Sequence, residues 1–194
     1  MRFWFDTEFH ENGYTIDLIS IGVVAEDGRQ YYAETDFARE KACSTDWLRD
    51  NVQPHLTGPE KGRPVIAREL IEFMGEKPEI WAYYADYDWV VLCQLFGRMI
   101  DLPKGWPMYC RDVKQLCDSL GNPELPKQTS QEHHAMADAE WTRDAWQFLV
   151  DEKTERNKRI SDRYNQLMTI GRHGHYETMF RVVSEEVERA NTNR

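Results

Sequence analysis

Residues 17 to 34 spell out a β-hairpin, and this stretch constrains the fold more than any other. Asp17-Leu18-Ile19-Ser20-Ile21-Gly22-Val23-Val24-Ala25 is rich in β-branched residues, which favour a pleated, half-buried surface. Glu26-Asp27-Gly28-Arg29 follows. Its central Asp-Gly suits a tight hairpin turn. Gln30 to Glu34 is the returning strand. Ahead of the hairpin, Arg2-Phe3-Trp4-Phe5-Asp6 is short, aromatic and apolar. The chain therefore opens as an antiparallel three-stranded meander, with residues 7–15 as the first connection. Such a sheet has to be covered on its apolar side by other elements.

Helical patterns follow. Thr45 is placed to cap a helix through Val52. Pro64 opens another to about Met74, with Val65, Ile66, Leu70 and Phe73 on one side. Glu79 to Tyr84 reads as a strand and Trp89 to Met99 as a helix. A short strand is expected near Trp106–Cys110 and a helix from Asp112 to Leu120. Gly121 to Ser130 is a polar loop, and a long helix runs from about Gln131 to Val150. Strands first, then β–α alternation, predict an α/β fold: a mixed sheet with flanking helices over residues 1–150. Residues 151–194 change character. Ile160, Tyr164, Leu167 and Met168 form one apolar stripe, and Gly171 to Gly174 breaks it. Tyr176, Met179, Phe180, Val183 and Val187 form a second. A helical extension at 151–194 is expected, either structural or dimer-forming.

Composition narrows the function. The 194 residues carry a net charge of −10, which argues against coating nucleic acid by phosphate neutralisation. Residues 151–194 hold 8 acids and 9 bases, so the excess negative charge lies in 1–150. No apolar run approaches the ~20 residues of a membrane span. Met1 leads straight into a strand with no basic leader, so no signal peptide is expected. Cys43, Cys93, Cys110 and Cys117 lack metal-site spacing, consistent with reduced thiols in the cytoplasm. No phosphate-cradling or dinucleotide-binding glycine motif is present. His134, His173 and His175 have only generic spacing for zinc.

Three acidic motifs carry the chemistry. In Phe5-Asp6-Thr7-Glu8-Phe9, Asp6 and Glu8 are two apart on a strand and project to one side. Like charges so close repel unless a cation sits between them. In Trp81-Ala82-Tyr83-Tyr84-Ala85-Asp86-Tyr87-Asp88-Trp89, a strand passes into a helix, and either aspartate could serve there or merely cap the helix. In His133-His134-Ala135-Met136-Ala137-Asp138-Ala139, a histidine five residues before an aspartate puts both near one end of a helix.

Together these motifs resemble the DEDDh family of 3′–5′ exonucleases, which have the ribonuclease H-like fold. The resemblance covers about residues 1–150. His-x-Ala-x-x-Asp-Ala is met by His133, Ala135, Asp138 and Ala139. In the second motif Tyr83-Tyr84 stand where His-Asn is commonest. The spacing to Tyr87 and Leu92 favours Asp88 over Asp86. Phe5-Asp6-Thr7-Glu8-Phe9 at the very start, with Leu92-Cys93-Gln94-Leu95-Phe96-Gly97 after the second motif, is most similar to the RNase AS subgroup, bacterial exoribonucleases specific for polyadenylate.

The resemblance implies removal of nucleotides from single-stranded RNA 3′ ends by phosphodiester hydrolysis, with two Mg²⁺ or Mn²⁺ ions held by Asp6, Glu8, Asp88 and Asp138. Asp6 would bridge both ions, Glu8 and Asp138 would hold the one that activates water, and Asp88 the other. It also implies His133, not His134, as general base, and a homodimer. Thr7, Phe9, Tyr84 and Tyr87 flank the motifs and are candidate substrate contacts. A DNA-directed exonuclease and a non-catalytic nucleic-acid-binding module on the same fold are the alternatives.

Overall fold

The computed structural model describes residues 1–58, 60–129 and 131–171, with Arg181 and Ser184. A six-stranded mixed sheet is the framework, in the order β4-β3-β2-β1-β5-β6. β1 (Arg2–Glu11), β2 (Ile16–Ala25) and β3 (Gln30–Thr35) form the expected antiparallel meander, with its second turn at Gly28 (φ 88°), but the first connection is residues 12–15 rather than 7–15, because β1 pairs with β2 through Glu11. β4 (Glu60–Lys61) runs parallel to β3 on one side. β5 (Glu79–Ala82) and β6 (Arg111–Asp112) extend the other side, parallel to β1. The mixed α/β architecture expected from the sequence is therefore present, and it matches a ribonuclease H-like fold.

Alternation along β1 divides its residues between two faces. Phe3 and Phe5 enter the main core with Ile21, Val23 and Ile80. α3 (Arg63–Met74) covers that core through Ile66, Leu70 and Met74, and α4 (Asp86–Gln94) through Val91 and Leu92. Trp4, Asp6 and Glu8 project to the opposite face. α1 (Ala38–Ala42) and α2 (Asp46–Asn51) pack Ala38, Ala42 and Leu48 with Ile19, Val52 and Leu56 in a second cluster. Thr45 caps α2 as expected, its side chain accepting the Leu48 N–H.

Several boundaries differ from the sequence reading. β5 stops at Ala82 rather than Tyr84, because Tyr84 turns the chain with φ 54°. α4 consequently begins at Asp86, three residues before the expected start, and ends at Gln94 close to Gly97, whose φ is 112°. The short strand lies at Arg111–Asp112, not Trp106–Cys110. Trp106 instead enters the main core and donates its indole N–H to the Gly75 carbonyl at 2.8 Å. α5 covers Val113–Ser119, and α6 starts at Ala135 and continues without a break past Val150 to Gly171. The second apolar stripe, at 176–187, lies outside the described residues.

The chain forms two compact units. One comprises residues 1–114 and 126–145 and contains every candidate site residue. The other comprises residues 115–125 and those from 146 onward; within it Cys117, Trp146, Leu149 and Leu167 are buried. Among the described residues no helix is long and apolar enough to cross a membrane.

Candidate active site

The site forms where β1 runs beyond its pairing with β5, at the C-terminal end of that parallel pair. This is where open α/β sheets place their ligands. β1 pairs with β5 only over Arg2–Trp4, leaving Asp6 and Glu8 past the end of β5. The register between β1 and β2 slips between Glu8 and Phe9, a local irregularity that re-aims side chains beside a site.

Asp138 arrives from the first turn of α6. Gly22, directly opposite Asp6 on β2, makes this approach possible. A Cβ at Gly22 would stand 2.3 Å from the Ala135 carbonyl oxygen and 2.5 Å from Met136 Cα, so the helix backbone lies directly on the sheet. As a result, ligand atoms of Asp6, Glu8 and Asp138 lie within 4.8 Å of one another. Gln128, on the loop before α6, donates to Asp138 Oδ1. Trp141 donates its indole N–H to the Pro126 carbonyl at 2.8 Å, tying that loop to α6. Nothing in the local sequence marks Gln128, because its role exists only once the loop folds over Asp138.

Asp88, from the first turn of α4, is not one of that group of three, but its charge acts on both Asp6 and Glu8. It is 6% exposed, and its Oδ1 accepts the Thr7 N–H at 2.9 Å and the Thr7 hydroxyl at 2.5 Å. Asp86, the other aspartate of this motif, faces solvent. Thr7, a candidate substrate contact, is buried with its hydroxyl committed to Asp88. Phe9 is half-buried and stacks on Tyr87, with ring centroids 5.7 Å apart; Tyr84 and Tyr87 are exposed.

The electrostatics follow from this crowding. Burial, then repulsion from Asp138 and Asp88, pushes the Glu8 carboxyl up to about 8. Burial and the repulsion of Asp88, Glu8 and Asp138 hold Asp6 well above the carboxylate range. Burial raises Asp88 to about 6 against the lowering effect of its Thr7 bonds. Burial raises Asp138 too, opposed by Gln128 and His133. Four carboxylates that resist ionising together, all with hard oxygen donors, suit divalent cations such as Mg²⁺ or Mn²⁺.

The two adjacent histidines diverge. His133 has φ 64° and lines a cleft of about 260 Å³ with Asp6, Tyr83, Gln128, Glu132, Asp138, Trp141 and Thr142. His134 has different ring partners, stacking on Tyr32 with centroids 4.8 Å apart, and its Nδ1 accepts the Ala137 N–H at 3.4 Å as a cap for α6. A roomier cleft of about 570 Å³ includes Asp17, Phe37, Lys41 and Arg63. It shares no residue with the carboxylate cluster, and Asp17 there is ion-paired to both cations.

Comparison with known proteins identifies the family. Residues 1–150 match the family model of the 3′-5′ exoribonuclease Rv2179c-like domain. The chain belongs to this family. Similar proteins are the 3′-5′ exoribonucleases Rv2179c and MT2234.1 of two Mycobacterium tuberculosis strains, H37Rv and CDC 1551. Each is 45% identical over 148 residues, which is 72% of this chain and 87% of the relative. The matched span, residues 1–150, includes the clustered carboxylates and the cleft-lining His133.

Proposed function

We propose that this protein is a 3′–5′ exoribonuclease that trims single-stranded, adenylate-containing RNA 3′ ends by two-metal-ion hydrolysis. The observation that carries the reading is the convergence of Asp6, Glu8 and Asp138 within 4.8 Å, in a chain of the 3′-5′ exoribonuclease Rv2179c-like family. Mg²⁺ or Mn²⁺ bound there would polarise the attacking water and stabilise the leaving 3′ oxygen. Asp6, Glu8 and Asp138 would hold the ion that activates water, and Asp6 with Asp88 would hold the ion on the leaving-group side. Thr7 keeps Asp88 aimed through its two hydrogen bonds. His133 accepts the proton of the attacking water. Phe9, Tyr84 and Tyr87 offer aromatic faces on which unpaired bases can stack.

Metal binding would let the crowded carboxylates ionise together and would supply the positive charge that a phosphate needs, which supports a dependence of RNA binding on metal. All four cysteines are free thiols, which supports a reducing, cytoplasmic setting. A homodimer is part of the same reading, supported by the family resemblance and by exposed Ile160, Tyr164 and Met168 on α6; sedimentation showing only monomer removes it. The deciding experiment is digestion of end-labelled oligoadenylate, oligouridylate and oligodeoxyadenylate with Mg²⁺, Mn²⁺ or EDTA. The reading requires metal-dependent shortening from the 3′ end that is fastest on oligoadenylate. Preference for the deoxy substrate would make this a DNA-directed enzyme, and no cleavage of any would leave a binding module.

A further inference from the structure

We propose that Trp47 is a positioning residue for His133, holding the imidazole where it can take a proton from the attacking water. The proposal rests on His133 being the general base. The indole and imidazole centroids are 4.8 Å apart with their planes at 74°, the edge-to-face arrangement that aromatic quadrupoles favour.

His133 needs an external hold. It sits on the turn ahead of α6, outside any helix or strand, and its φ of 64° is a backbone state that a non-glycine residue keeps only where its surroundings enforce it. On such a turn the direction of the ring depends on what the ring touches. A general base also has to stand within hydrogen-bond reach of the proton it removes, so a ring free to rotate spends part of its time unproductively.

Trp47 is mounted to provide that hold. Thr45 fixes the start of α2 by accepting the Leu48 N–H at 3.2 Å, and Asn51 donates its side-chain N–H to the Trp47 carbonyl at 2.8 Å. Leu48 and Val52 anchor the segment in the second apolar cluster. Trp47 itself stays 53% exposed. The indole is thus a rigidly based ring that forgoes burial in the core and meets His133 instead.

The test uses Trp47→Ala, Trp47→Phe, His133→Ala and the Trp47→Ala/His133→Ala double variant of the full chain. Single-turnover cleavage of labelled oligoadenylate is measured at saturating Mn²⁺, and histidine-ring ¹H–¹³C NMR spectra are recorded on metal-free protein. Trp47→Ala should slow the maximal rate about 2- to 10-fold, the population effect of one edge-to-face contact, at unchanged half-saturating RNA. Trp47→Phe should restore most of the rate. In the His133→Ala background the second substitution should cost nothing further. The His133 ring resonances should move when the indole is removed. Unmoved resonances would overturn the proposal. So would a rise in half-saturating RNA that persists in the His133→Ala background, because Trp47 would then act on the RNA directly. If His133→Ala loses activity and Trp47→Ala does not, the positioning role alone falls. If His133→Ala keeps its rate within twofold of wild type, the general-base reading falls and takes this proposal with it.

Discussion

Gly22→Ala should disable the site from a position that touches neither metal nor substrate. The added methyl would stand 2.3 Å from the Ala135 carbonyl oxygen, whereas ordinary contact begins at 3.4 Å, so the first turn of α6 must lift by about 1.1 Å. Asp138 is three residues further along the same turn and moves with it, away from Asp6 and Glu8. A displacement of about 1 Å in a catalytic constellation can cost on the order of 10²-fold in rate. The fold should survive. Overpacking costs roughly 1–3 kcal/mol, and replacing a strand glycine by alanine returns about 0.5–1 kcal/mol. The assay combines calorimetric Mn²⁺ titration, single-turnover RNA cleavage and the thermal midpoint. Weakened Mn²⁺ binding and about 10²-fold slower cleavage in a folded protein are expected. Wild-type affinity and rate in the folded variant would refute the claim that this close approach sets Asp138.

Asp88→Asn should lower turnover by more than ~10²-fold, since even groups that only support a metal ligand cost 10–100-fold. Asp86→Asn, at a solvent-facing position, should be mild; steady-state kinetics showing the reverse order would reassign the motif. His133→Ala should lose ~10²–10⁴-fold in the chemical step while keeping Mn²⁺ affinity. His134→Ala should instead lower the melting temperature through loss of its α6 cap, worth ~1 kcal/mol. The folded-state pKa values of Glu8, about 8, and Asp88, about 6, lie above their ordinary values. Their contribution to stability is therefore greatest at low pH and is lost as pH rises through about 6 to 8. Metal-free protein should melt at a higher temperature at pH 5 than at pH 8.5, with excess Mg²⁺ or Mn²⁺ narrowing the gap. A higher metal-free midpoint at pH 8.5 would contradict the crowding of these carboxylates.

Local physics made much of the protein legible in its sequence. The Asp27-Gly28 turn and the β-branched run before it dictate the meander, since both preferences act over a few residues. Period-two alternation on β1 was enough to put Asp6 and Glu8 on one face, and Thr45 and Pro64 marked helix starts because caps are local devices. The preference for Asp88 over Asp86 comes from the resemblance to the exonuclease motif rather than from local physics, and the fold buries Asp88 while leaving Asp86 facing solvent. What depended on distant contacts was not legible. The left-handed turn at Tyr84 moved the start of α4, and Trp106 joined the core instead of a strand, because packing outweighed propensity there. Helix α6 ran through position 150, where only a change in composition had suggested a boundary. Gln128 met Asp138, Trp47 met His133, and Gly22 admitted the α6 backbone only through folding. Each of these contacts joins residues far apart in the chain or set by a turn, and no pattern of neighbouring side chains encodes such a meeting.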